Sequence, residues 1–185
     1  QASCSRSFAP IWLDRIYNLA VNGYYDQNYF FRVIEDFVVQ FGTNGNPAVS
    51  NVYNYSFDYP CAILHPQPPF MPVNVGGASL SNIYGTLSMS TSYNEITNTT
   101  WNATAELFIN IGDNAAKLDP LLFVPVCTID AVGMKVVDSF PSFGEVAELG
   151  GTGPSLGLLY QDGNAYIEAN PAWSTMALSG DVSTA

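Results

Sequence analysis

The stretch YFFRVIEDFVVQF, residues 29 to 41, sets two short β-branched and aromatic runs on either side of the dipeptide ED. Such side chains favour the pleated, half-buried surface of a sheet, and a connection this short joins only antiparallel neighbours. The stretch therefore predicts two strands forming a hairpin, which needs further strands or a helix to cover it before it is stable in water. Candidates follow at GTLSMS (85–90), AELFINI (105–111), LLFVPVCTID (121–130) and GNAYIEA (163–169). Pro125 in the third of these suggests a bulge or an edge position, because proline cannot donate to a ladder. Helix punctuation appears in PIWLDRIYNLAVNG, with Pro10 at the start, apolar residues at 12, 13, 16, 17 and 20, and Gly23 at the stop. It predicts a helix over 10–22, and AVGMKVVDSF reads as a second, shorter one. The Asn-, Pro-, Ser- and Gly-rich stretch from Gly42 to about Tyr84 reads as a long loop, and TSYNEITNTTWNAT (91–104) as a polar insert between strands.

These elements describe a mainly β chain: a closed or nearly closed sheet with helices at its ends. There is no internal repeat and no linker, so residues 1–176 read as one domain and 177–185 as an irregular tail. The chain has 185 residues, 48% of them hydrophobic, which suffices for a sizeable core.

Five basic residues (Arg6, Arg15, Arg32, Lys117, Lys135) stand against 16 acidic ones, a formal charge of -11, which argues against a phosphate-binding face and so against nucleic acid. No apolar run approaches the roughly 20 residues that span a bilayer. The first residues, QASCSRSFAP, lack a leader pattern, so the chain reads as soluble and already processed. Glycosylation acceptor triplets at Asn54, Asn98 and Asn102 point to a secretory route, although a chain rich in Asn, Ser and Thr also produces them by chance. Three cysteines cannot all pair within one chain. Cys127, in an apolar run, reads as a small buried hydrophobe, and a Cys4–Cys61 bridge is open in an oxidising compartment.

Taken in order, FAPIWLDRIYNLAVNGYYDQNYFFRVIEDFVVQFGTNGNPAVSNVY, GTLSMS, ELFINIGDNAAKLD and GMKVVDSF resemble the cyclophilins, the peptidyl-prolyl cis-trans isomerases, over about residues 8–176. FFRV, QFGTNGNP and GNAYIE are similar to one branch of that family. The resemblance implies an eight-stranded antiparallel β-barrel capped by two helices and isomerisation of X-Pro bonds in proline-containing proteins or peptides, without cofactor, metal, nucleophile or general base. It assigns the catalytic arginine to Arg32, with Phe37 and Gln40 beside it, and pocket-lining or peptide-binding positions to Val38, Ser90, Thr91, Glu106, Phe108 and Leu118. Serine and threonine at 90 and 91 match positions whose backbone contacts the peptide.

Departures from the family pattern carry expectations of their own. Glu106 replaces a usual glutamine and should put an acid near Arg32, orienting it or weakening its donation. Lys117 replaces an aromatic residue associated with cyclosporin binding, so drug affinity should be poor. His65, in the Pro-rich loop, matches no family position and reads as a solvated side chain. Only eight residues precede Ala9, where the family has a two-strand hairpin, so at most one of its strands is expected and the exposed edge is a place for a partner's strand. The alternative function is a catalytically weakened structural or interaction subunit of a larger assembly on the same fold.

Overall fold

The computed structural model describes residues 1–53, 80–94, 99–101 and 104–180. In chain order the elements are β1 (Ala2–Cys4), α1 (Pro10–Val21), β2 (Arg32–Ile34), β3 (Val38–Phe41), α2 (Pro47–Tyr53), β4 (Thr86–Met89), β5 (Ser92–Asn94) and β6 (Thr99–Trp101). They continue with β7 (Leu107–Asn110), α3 (Ala115–Leu118), β8 (Pro125–Ile129), α4 (Ala131–Val137), α5 (Leu156–Asp162) and α6 (Asn164–Glu168).

Helix α1 begins with Pro10 in its first turn and ends in a Schellman arrangement. Gly23 takes φ +69° and donates to the Ala20 carbonyl, and Tyr24 donates to that of Leu19. Trp12, Ile16 and Leu19 recur at helical spacing and are all buried, so one stripe of α1 enters the core. The ED hairpin forms as expected, with Ile34 opposite Val38 and Asp36 at φ +54° in the turn, a conformation aspartate tolerates better than most residues.

Six strands make one antiparallel sheet in the order β1-β8-β4-β7-β3-β2. Among the described residues no ladder joins β1 to β2. A register shift between Leu87 and Ser88, where β4 meets Pro125, is the irregularity that proline announces. Alternation along the strands separates two faces. Val33, Val39, Phe41, Leu87, Met89, Leu107 and Ile109 point toward α1 and form the main core with Tyr24, Tyr25, Val126 and Met134. Arg32, Val38, Gln40, Phe108 and Ser88 have the opposite parity.

Four expectations change. Residues 164–168 form helix α6 rather than a strand; Gly163 at φ +61° breaks the chain before it, and Ile167 alone of its apolar residues is fully buried. The supposed loop after Gly42 contains α2, and the polar insert contains the β5–β6 hairpin, with Ser92 opposite Trp101. Cys127 is indeed buried, but it is bonded to Cys4, its register partner across β1 and β8, which leaves no Cys4–Cys61 bridge. Of the family's initial hairpin, one strand is present: β1 covers β8 and is itself the outer edge. Cys61, His65, Asn54, Asn98 and Asn102 lie outside the described residues.

Candidate functional site

Hydrogen-bond register sets the site. Arg32 faces Gln40 across β2 and β3, Gln40 faces Phe108 across β3 and β7, and Phe108 faces Ser88 across β7 and β4. Residues directly opposite in an antiparallel ladder share a face, so these four form one row. The row lies on the side of the sheet away from α1.

Arg32 is held at two points. Its Nε and Nη2 donate to the two carboxylate oxygens of Glu145 at 2.5 and 2.7 Å, and Nη1 donates to Gln40 Oε1 at 3.1 Å. The bidentate fork suits a guanidinium and leaves two of its five N–H bonds without a protein acceptor among the described residues. Arg32 holds the Glu145 carboxyl below the usual carboxylate range, chiefly by hydrogen bonding; partial burial opposes the shift and the Val146 amide adds to it. The expected acid, Glu106, does not touch Arg32. Instead Gln40 Nε2 donates to Glu106 Oε2 at 2.7 Å, and Glu106 Oε1 accepts from Thr43 Oγ1 at 3.0 Å and from the Tyr160 hydroxyl of α5. A two-residue offset explains this: Phe108 lies opposite Gln40, and Glu106, on the same face, is two positions farther along the strand from the row that contains Arg32. Burial, reinforced by the Glu106 charge, pushes the Tyr160 hydroxyl above the usual phenol range, so it remains a donor.

Beside the polar row is an apolar cluster. Val38, Phe108 and Leu118 are buried, with Phe37 and Phe123 packed against them and partly exposed. Phe37 joins the two halves: Arg32 Cζ lies 5.6 Å from its ring centroid and Lys117 Nζ 5.5 Å. Its carbonyl accepts from Ile111 N at 3.0 Å and Asn114 Nδ2 at 2.7 Å, which fixes the backbone under the ring. Gly112 permits that approach, since a Cβ there would stand 2.1 Å from the Asp36 carbonyl oxygen. Asn114 also donates to Asn110, Asn110 to Asn82, and Asn82 to Asp119 and the Phe123 carbonyl. This buried amide chain ties α3 and the segment after it to the sheet, holding Leu118 and Phe123 in place.

Ser90 joins the polar row, its N–H donating to the Glu106 carbonyl at 2.9 Å and its hydroxyl accepting from Gln40 Nε2 at 3.4 Å. Thr91 stands outside the network, with a buried hydroxyl that has no hydrogen-bond partner among the described residues.

The model of the family described as cyclophilin type peptidyl-prolyl cis-trans isomerase matches residues 5–150. The chain belongs to the cyclophilin family. Among solved structures, a cyclophilin-type isomerase of Cryptosporidium parvum, crystallised in the presence of the dipeptide Ala-Pro, is similar at 18% identity and a TM-score of 0.50, covering 76% of this chain and 79% of that one. A second structure of that isomerase matches at 16% identity and TM-score 0.48, covering 76% and 78%. A cyclophilin from Hirschia baltica matches at 14% and 0.46, covering 76% and 63%. No match was found among curated proteins. No helix among the described residues is long and apolar enough to cross a membrane.

Of the residues singled out in the sequence of this cyclophilin, the structure brings Arg32, Phe37, Val38, Gln40, Ser90, Glu106, Phe108 and Leu118 together, and Glu145, Tyr160, Thr43 and Phe123 join them without having been singled out. Phe123 stood in a visible apolar run. Glu145 and Tyr160 carry no local signal, because they meet their partners across 113 and 54 residues of chain.

Proposed function

We propose that this chain is a peptidyl-prolyl cis-trans isomerase acting on X-Pro bonds of proteins or peptides, and that Arg32 stabilises the twisted imide. The observation that carries the proposal is the row Arg32–Gln40–Phe108 set beside the Val38–Phe108–Leu118 cluster. Rotation about the peptide bond is opposed by about 18–20 kcal/mol because the nitrogen lone pair is shared with the carbonyl. Twisting returns the pair to nitrogen, so an N–H aimed there binds the twisted state better than the planar one, which is the condition for catalysis. The apolar cluster, with Phe37 at its rim, supplies a seat for the proline ring. Glu145 and Gln40 fix the guanidinium while leaving two N–H bonds for substrate.

The test is a protease-coupled assay on an Ala-Pro peptide. The protein accelerates isomerisation, and Arg32→Ala lowers kcat/KM by about 100-fold or more, the usual loss when a preorganised donor is removed. Equal background rates for both would reject the enzyme. The Glu145 pair favours a second reading, in which the arginine is neutralised and the fold binds proline segments as an interaction subunit. Binding of the peptide by calorimetry without Arg32-dependent turnover would select it. The Cys4–Cys127 bond and the acceptor triplets support an oxidising, secretory location.

A further inference from the structure

We infer that Glu106, held by Tyr160 and Thr43, is a positioning residue that sets the orientation of the Gln40 amide and so presents a carbonyl oxygen to Arg32. The inference rests on the isomerase reading for its consequence in catalysis, but the arrangement itself stands on the contacts.

A glutamine amide has an acceptor end and a donor end of nearly equal shape, and its orientation is decided by its neighbours. Gln40 lies between two groups of opposite character. On one side is a guanidinium, which only donates; on the other is a carboxylate, which only accepts. One orientation satisfies both, with Oε1 on Arg32 Nη1 at 3.1 Å and Nε2 on Glu106 Oε2 at 2.7 Å. The flipped amide would set donor against donor and acceptor against acceptor at once. Were position 106 a neutral amide, it could turn with Gln40, and only the arginine side would resist.

Glu106 is buried at 8% exposure and needs its other lone pairs filled. Thr43 and Tyr160 fill them on Oε1, and each can reach it only as a donor. The hydrogen bonds therefore run in one direction from Arg32 through Gln40 to Glu106, with Tyr160 and Thr43 closing the far end. Aligned bonds of this kind polarise one another, which strengthens the Gln40 oxygen as an acceptor for Nη1. Tyr160 lies beyond the residues 5–150 that match the family, so the C-terminal helix α5 contributes to the site and does not merely follow it.

The test compares Glu106→Leu, Glu106→Gln, Tyr160→Phe, Gln40→Leu and the Glu106→Leu/Gln40→Leu double variant in the full chain. Glu106→Leu lowers kcat about tenfold with KM unchanged, the size expected when a buried hydrogen-bonding partner is removed. Glu106→Gln, which keeps an acceptor oxygen, recovers most of that loss, and Tyr160→Phe gives a smaller loss of the same kind. The double variant is no slower than Gln40→Leu alone, because Glu106 acts through Gln40. Losses that multiply, or a Glu106→Leu effect confined to KM, overturn the inference. An NMR measurement is independent of activity: a Gln40 side-chain N–H is shifted downfield and protected from exchange in the wild type, and moves to the free-amide position in Glu106→Leu. If that signal does not move, Glu106 is not its partner and the inference fails, whatever Arg32→Ala does to the rate; if the signal moves but Arg32→Ala is silent, the isomerase reading fails instead.

Discussion

Arg32 is placed by a neighbour that its own segment does not contain. Its side chain is 15% exposed, too buried to leave a cation without a counter-charge, and Glu145 provides one from the segment after α4. The adjoining Ser142 hydroxyl donates to the Val33 carbonyl at 2.5 Å, so this segment is fastened along β2 where Glu145 meets Arg32. Because the folded-state pKa of Glu145 is depressed by Arg32, the pair's contribution is complete above the ordinary glutamate value of about 4.3 and is lost as pH falls through the lower folded value. Glu145→Gln should therefore lower the melting temperature at pH 7, by the equivalent of about 1–2 kcal/mol for a partly exposed pair, and flatten the acid limb below pH ~4. Melting curves measured from pH 7 down to 3 check this. Parallel curves for the two proteins would mean that the ion pair is not linked to folding.

At the scale of elements, β1 is the least secure strand: three residues long, exposed, and paired on one side only among the described residues. The Cys4–Cys127 bond fastens it to β8 over a sequence separation of 123. Closing so long a loop in the unfolded chain corresponds to about 4–5 kcal/mol in the chain-entropy picture, and measured losses of native disulfides are about 2–5. Reductant should lower the melting temperature of the wild type and leave Cys4→Ser unchanged, and peptide mapping without reduction should recover a Cys4–Cys127 fragment. A Cys4–Cys61 fragment would overturn the pairing. Elements with short-range signatures were legible in the sequence: α1 through Pro10 and Gly23, the β2–β3 hairpin through its two runs, β7 and α4 through their periodicity. Arg32 and Gln40, eight positions apart in one hairpin, were marked by the resemblance of FFRV and QFGTNGNP to the family. Residues 164–168 were not, since Ala, Tyr, Ile and Glu in a five-residue run fit either period, and burial of Ile167 in a distant cluster decided for helix. Glu145 and Tyr160 escaped for the same reason, their partners being fixed only by the folded chain.

Besides the Val38–Phe108–Leu118 cluster, the described residues of the whole molecule form two larger apolar centres that meet on either side of one residue of β2. Val33 belongs to the main core under α1; Phe31, just before Arg32, belongs to a second cluster with Val146, Leu159, Ile167, Trp173 and Met176. That cluster is built mostly from residues after 150, where the family match ends. Backbone bonds join the same regions, Phe30 N to the Ala177 carbonyl at 2.9 Å and Ser179 N to that of Asn28 at 2.8 Å. Glu148 supports the return of the chain by accepting from Leu156 N and Gly157 N at the start of α5, and these bonds, after that from the Ser155 hydroxyl, hold its carboxyl down at about 2. The chain after residue 150 thus buries the residue preceding Arg32 and delivers Tyr160 to Glu106. A chain ending at residue 150 should expose Phe31, losing about 2–3 kcal/mol at that side chain alone, and should forfeit the remaining cluster with it. Its thermal transition should broaden or fall by well over 10 °C, given that each kcal/mol moves a domain of this size by about 2–4 °C, and Arg32-dependent isomerisation should fall in parallel. Glu148→Ala, which loosens only the cap, should cost about 1 kcal/mol and leave the transition sharp. Calorimetry on the three proteins distinguishes the cases: if the 150-residue chain melts like the full one and keeps its rate, the C-terminal helices are an appendage, and the site's stability must come from the β-sheet and α1 alone.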